Sequence, residues 1–257
     1  MLSLALLALS GLAAGALGAM LGVGGGFIIV PTLSILFGLP MHTAVAAGQI
    51  GVVATSSVAS LHYLREDLVH LRLALGLLLA TTLGAATGAA IGGRLDPRYL
   101  SVGFGLILIV ASWRMLKGRG RRDDAAATVE DVPVSRWGIG QAGAYLGGTL
   151  SGLLGIGGGV VNVPLFCLAL NVPMRLATAT STFLVGITGA TAAIVYYSQG
   201  HTDLVVSGAV MLGAFTGSWL GARLATRMRT LYLRAAFAAL MLYTAVLMIA
   251  RGLGVSL

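Results

Sequence analysis

The sequence predicts an all-α fold: a polytopic integral membrane protein of two inverted repeats, each with about four long helices plus a glycine-broken hairpin segment. Three observations carry this. The 257 residues are 57% apolar and only 9% charged, with a mean hydropathy of +0.95, whereas an ordinary soluble domain carries about 25% charged residues. Uncharged runs cover residues 1–64, 73–91, 99–113, 137–174 and 204–222, most of them longer than the ~18 apolar residues read as a membrane-spanning helix. Finally, Gly22-Val23-Gly24-Gly25-Gly26-Phe27-Ile28-Ile29-Val30-Pro31 returns 133 residues later as Gly155-Ile156-Gly157-Gly158-Gly159-Val160-Val161-Asn162-Val163-Pro164, and the same offset carries Pro40-Met41 onto Pro173-Met174.

The repeats divide the chain into a first transmembrane unit, residues 1–116, a polar linker, residues 117–136, and a second transmembrane unit, residues 137–257. The linker holds most of the charge density and reads as a flexible connection. In the first unit the apolar segments are 4–21, the glycine break, 31–37, 43–64, 71–92 and 99–116. The second repeats them as 137–154, the break, 164–170, 176–197, 204–223 and 231–249. Gly84, Gly88 and Gly92, and likewise Gly213, Gly217 and Gly221, recur every fourth residue. That spacing puts them on one helix face, where they are expected to let neighbouring backbones pack closely.

Charge placement sets the expected topology. If each glycine break lies within a single crossing, the basic residues divide almost evenly between the two sides of the bilayer. If the chain enters and returns there as a hairpin, one side collects every basic residue except Arg94, Arg98 and Arg251. The positive-inside rule favours the second arrangement and places the linker in the cytoplasm. An odd number of effective crossings per unit then makes the repeats inverted. Residues 1–22 lack the positive n-region of a secretory leader, and part of this segment matches one inside the chain. It is therefore expected to belong to the fold.

The breaks are the expected site of chemistry. Unpaired backbone groups at membrane depth are tolerated only where protein buries them or a cavity receives them. Paired, glycine-interrupted apolar segments point to a transporter's binding site. On the hairpin reading, residues 24–30 and 157–163 are largely unwound, and Pro31 and Pro164 sit in the first turn of the helix that follows, where no amide donor is needed. Free N–H groups at a helix N-terminus attract anions, and glycine lets an anion reach the backbone. Gly24, Gly25, Gly26, Gly157, Gly158 and Gly159 are therefore expected to neutralise an anion, with Gln49, Asn162, Thr180 and Thr182 orienting it. Gln49 and Thr182 are equivalent in the repeat, whereas Asn162 stands where the first unit has Ile29. Intramembrane polar residues are functional candidates. Thr55, Ser56 and Ser57 are expected to serve packing.

Other functions find little support. A net charge of +8 and a pI near 10.4 would suit nucleic acid, but the basic residues lie between apolar runs, as orienting loop charges do. The glycines lack the preceding strand and following acidic residue of a dinucleotide fingerprint. No metal-ligand spacing, cofactor motif or nucleophile–base pair is present, so no enzymatic reaction is expected. Cys167, the single cysteine, cannot form an intrachain disulfide. Asp67 and Asp203 are expected to N-cap the helices after them, Tyr196 and Tyr197 to belong to an interfacial aromatic belt, and the four histidines to sit at helix ends or loops.

Paired Gly-x-Gly-Gly-Gly-x-x-x-Val-Pro segments in such a chain resemble the sulfite exporter TauE/SafE family, over about residues 10–251. The resemblance implies a bacterial inner-membrane transporter of small anions, with sulfite and sulfonates such as sulfoacetate prominent among the family's substrates. With the cell interior negative, export of one negative charge is favoured by roughly 2.3 kcal/mol per 100 mV, so an exporter working by alternating access needs no coupling ion. A proton- or sodium-coupled importer of a related anion and a non-transporting membrane scaffold are the alternatives. The expected partners are the small anion and the lipid bilayer, with a homo-oligomer possible and nucleic acid excluded.

Overall fold

A computed structural model describes residues 2–21, 23–117, 137–168, 170, 172–225 and 230–253. Most of the linker, 118–136, lies outside the described residues. The described residues form ten α-helices in two matching sets. The first set is α1 (Leu2–Leu21), α2 (Gly26–Pro31, continued by a π-helical turn Thr32–Leu36), α3 (Met41–Arg65), α4 (Leu71–Gly92) and α5 (Pro97–Lys117). The second is α6 (Trp137–Leu154), α7 (Gly159–Leu168), α8 (Met174–Ser198), α9 (Leu204–Ala225) and α10 (Thr230–Gly252). Among the described residues four helices are long and apolar enough to cross a membrane: Met41–Arg65, Leu71–Gly92, Arg175–Ser198 and Leu204–Leu224.

Repeated sequence gives repeated helix ends. Pro40 and Pro173 both take extended ψ values of 142°, and their carbonyls accept the first in-helix bonds, from Ala44 and Ala177. At the far ends, Leu68 N–H reaches Tyr63 O and His201 N–H reaches Tyr196 O. The residue before each is left-handed, Asp67 at φ 53° and Gly200 at φ 75°. These are paired Schellman ends, whose left-handed residue is usually glycine. Asp67 thus closes α3 and is not the N-cap of α4. That role falls to His70, whose Nδ1 accepts from Leu73 N–H, while Asp203 does cap α9 through Val205 and Val206 N–H. His70 and Asp203 are the true repeat-mates, 133 residues apart.

Packing crosses between the units. Helix α1 lies on α9 of the other unit and α6 on α4, while α3 meets α8 and α5 meets α10. The glycine stripes make these contacts close. Carbons added at Gly84, Gly88 and Gly92 would strike α6 at Tyr145, Thr149 and Leu153, with the Tyr196 hydroxyl also in the way of the last. At Gly213, Gly217 and Gly221 they would strike the α1 backbone at Ala8, Leu12 and Ala16. Without Cβ atoms the helices approach backbone to backbone, the arrangement small residues favour between membrane helices. The paired positions rise together along α1 and α9 and along α4 and α6, so each pair is parallel. Between the equivalent helices α3 and α8 they run in opposition, with Gln49 and Val52 against Gly189 and Ser56 against Gly186.

Both glycine breaks turn the chain back on itself. A carbon on Gly25 would sit 2.6 Å from Ala14 O, eleven residues earlier in sequence. Along α6 and α7, Gly147 faces Asn162, Gly143 faces Leu165 and Gly140 faces Leu170. Each break is therefore a hairpin tip. The unwinding is shorter than the sequence suggests: helix resumes at Gly26 and at Gly159, so Pro31 and Pro164 fall inside the short arms, five residues in, and not in their first turns. Four glycines with positive φ, Gly24, Gly25, Gly155 and Gly157, complete the reversal in few residues, leaving room for an extra turn of helix. The first arm continues from Pro31 into a π turn, Thr32–Leu36.

Candidate functional site

The two tips meet. A carbon on Gly26 would strike the carbonyl oxygen of Gly155, and one on Gly157 would lie 2.6 Å from Val23 O. Each tip thus presents a carbonyl to a glycine of the other. Val52 and Val185, near the midpoints of α3 and α8, close over the junction. Their Cγ1 atoms both lie 3.0 Å from the position a carbon on Gly24 would take, and 3.3 and 3.2 Å from that on Gly157. Gly24, Gly25, Gly26, Gly157, Gly158 and Gly159 are all buried. In-helix bonding restarts with Ile28 and Ile29 onto Gly25 O, and with Val161 and Asn162 onto Gly158 O. Gly24 N–H turns back to Gly18 O at 3.4 Å.

Around the second tip the side chains are polar. Gln49 is fully buried; its Nε2 donates to Ser151 O at 2.6 Å, tying the middle of α3 to the last turn of α6. Asn162 is also fully buried. The position a carbon on Gly158 would take lies 3.1 Å from Asn162 Nδ2 and 3.6 Å from Ser151 Cβ. Gln49 Oε1, Ser151 Oγ and both amide atoms of Asn162 are buried without a hydrogen-bond partner. Buried polar atoms are nearly always satisfied, so each unpaired one calls for an explanation. Ser151 thus links Gln49, through its carbonyl, to the pair Asn162 and Gly158.

The threonines have other partners. Thr180 Oγ1 accepts from His70 N–H at 3.0 Å, at the start of α4, and Thr182 donates to Thr178 O in its own helix. Thr55 and Ser57 bond the preceding turn, while Ser56 Oγ is unpartnered. Tyr196 is not an interfacial residue: it is fully buried and donates to Leu153 O. Its repeat-mate Tyr63 donates to Ala19 O. Each tyrosine satisfies a carbonyl in the last turn before a tip, where helical partners run out. Tyr197 is 62% exposed.

With paired hairpin tips buried between matching helices, comparison with known proteins becomes decisive. The model of the sulfite exporter TauE/SafE family matches residues 7–248. The chain belongs to the sulfite exporter TauE/SafE family. The chain is similar to the probable membrane transporter protein YunE of Bacillus subtilis, 29% identical over 248 residues, 89% of this chain and 91% of that protein. A probable membrane transporter protein of Xylella fastidiosa strain 9a5c is 32% identical over 220 residues, 84% of this chain and 82% of the relative. The probable membrane transporter protein MJ0441 of Methanocaldococcus jannaschii is 26% identical over 251 residues, 91% of each. No solved structure gives a significant match. As a TauE/SafE member the chain is a multi-pass membrane protein of a transporter family.

Sequence reasoning missed Ser151, Val52, Val185 and the two tyrosine clamps. A signal for Ser151 existed: it replaces Gly18 of the first unit, just as Asn162 replaces Ile29 and Gln49 stands opposite Thr182. The polar side chains gather where the two units differ.

Proposed function

We propose that this TauE/SafE protein exports a small anion, such as sulfite, a sulfonate like sulfoacetate, or a related organosulfur or carboxylate anion, across a bacterial inner membrane by alternating access. The observation that carries this is the meeting of the two glycine tips between the midpoints of α3 and α8, with Gln49 and Asn162 beside them holding unpartnered buried atoms. The anion lies against the backbone amides of Gly25, Gly26, Gly158 and Gly159 at the starts of the short arms, where helix dipoles favour negative charge. Gln49 and Asn162 orient it; Thr180 and Thr182 serve through rotation of hydroxyls now engaged with His70 and Thr178. The junction covered by Val52 and Val185 is the occluded state.

The packing also suggests which bodies move. Displacing residues 1–116 as one body against 137–257 would break the backbone contacts of α1 on α9 and of α4 on α6. Alternating access instead shifts two mixed bundles, α1 with α9 and α4 with α6, across the α3–α8 seam. The linker is cytoplasmic on this topology, and equivalent helices α3 and α8, running in opposition, make the units inverted across the membrane.

The test is flux from proteoliposomes loaded with sulfite or sulfoacetate under an imposed inside-negative voltage, with no proton or sodium gradient. Efflux driven by voltage alone is expected. Uptake strictly dependent on a proton or sodium gradient identifies a coupled importer, and absence of flux of every anion tested leaves the scaffold.

A further inference from the structure

One end of the Gln49 amide is committed and the other is not. The 2.6 Å bond from Nε2 to Ser151 O fixes the orientation, because the flipped amide would set two carbonyl oxygens against each other. Oε1 is therefore a buried acceptor with no donor. Ser151 Oγ and Asn162 Nδ2 and Oδ1 are also buried and unpartnered. The three residues come from α3, α6 and α7: Gln49 is tied to the Ser151 carbonyl, and Ser151 and Asn162 both border Gly158.

This cluster can do what the backbone tips cannot. The amides, the Asn162 NH2 and the Ser151 hydroxyl are donors suited to anionic oxygens, but Gln49 Oε1 only accepts. An anion with accepting oxygens alone leaves that acceptor unpaired or repels it, at a cost of roughly 1–3 kcal/mol for a buried group. An anion with its own O–H satisfies Oε1 while its charged oxygens face the donors.

We propose that the Gln49–Ser151–Asn162 cluster selects small anions bearing an O–H donor, either a hydroxyl next to the anionic group or the protonated form of the oxyanion itself. This rests on the tips being an anion site and narrows the class of anion. The asymmetry of the repeat agrees with it: the equivalent positions in the other unit hold Thr182, Gly18 and Ile29, so the carboxamide groups stand on one side only.

The experiment is calorimetric titration of the purified full-length protein with two pairs of anions that differ by one hydroxyl: isethionate against ethanesulfonate, and glycolate against acetate. The hydroxylated member of each pair is expected to bind about tenfold tighter or more. In Gln49→Met the two members bind with equal affinity, whatever that affinity is. Measurable but equal binding of both members by the unmodified protein overturns the selectivity and leaves the anion site standing. A tenfold preference that persists in Gln49→Met overturns the role of Gln49. Failure of these four anions, sulfite and sulfoacetate all to bind overturns the anion site as well. The unmodified protein's ratio decides the matter even if the variant does not fold.

Discussion

Gly26 and Gly155 touch backbone to backbone: a carbon added to Gly26 would collide with the carbonyl oxygen of Gly155. The contact joins two tips that are 129 positions apart in sequence, and it leaves no room for any side chain. Gly26→Ala is therefore expected to destabilise the protein by about 1–3 kcal/mol, the usual cost of overpacking, read as a lower midpoint in thermal unfolding in detergent. Gly208, with nothing within 4 Å of its added carbon, is the control. Gly208→Ala in the second turn of α9 is expected to stabilise by roughly 0.5–1 kcal/mol through helix propensity.

Asp67 holds a left-handed backbone at φ 53°, where its repeat-mate is Gly200 at φ 75°. A side chain there strains the backbone, so Asp67→Gly is expected to raise stability by about 0.5–1 kcal/mol. Gly200→Ala should lower it by a similar amount. Unfolding midpoints of the two variants, moving in opposite directions, check the pair.

Tyr63 and Tyr196 each spend one buried hydroxyl on a carbonyl at the end of a broken helix. Tyr63→Phe and Tyr196→Phe are each expected to cost about 0.5–1.5 kcal/mol. Because the two bonds lie in different units with no shared partner, their effects should add in the double variant within about 0.5 kcal/mol. A strongly non-additive double would show that the two bonds are energetically coupled across the tips.

Val52 and Val185 close the junction between the tips. Trimming both to alanine removes the apolar cover, and voltage-driven anion leak from proteoliposomes is expected to rise while alternating access is bypassed. Unchanged leak in a folded Val52→Ala/Val185→Ala protein would place the barrier elsewhere.

Most of the fold was legible because membrane helices announce themselves by length and apolarity, and because each feature came twice. The bounds of α4 and α6 agree with the apolar segments 71–92 and 137–154. The hairpins were legible through charge, since only a return of the chain at each break puts nearly all arginines on one side. Local detail was harder. Asp67 and Asp203 look alike beside Leu68 and Leu204, yet they sit three positions out of register in the repeat, and only backbone dihedrals separate a helix stop from a helix start. Prolines Pro31 and Pro164 suggested first turns because interior proline is costly in a helix, whereas both stand inside the short arms. At the site, Gln49 and Asn162 stood out as polar residues in apolar runs. Ser151 did not, because a serine near the end of a helix has many ordinary explanations and its unpaired state is visible only in three dimensions.

Gly158 tests the central claim most directly. Its backbone has no positive φ, so a side chain there does not strain the backbone, yet the added carbon would stand 3.1 Å from Asn162 Nδ2 and 3.6 Å from Ser151 Cβ, beside the proposed anion position. In Gly158→Val, folded and monodisperse as shown by size-exclusion chromatography and thermal unfolding, binding of sulfite, sulfoacetate or isethionate is expected to weaken by at least about tenfold. Unmodified affinity in that variant for every anion that the parent protein binds would contradict an anion site at the meeting of the two tips.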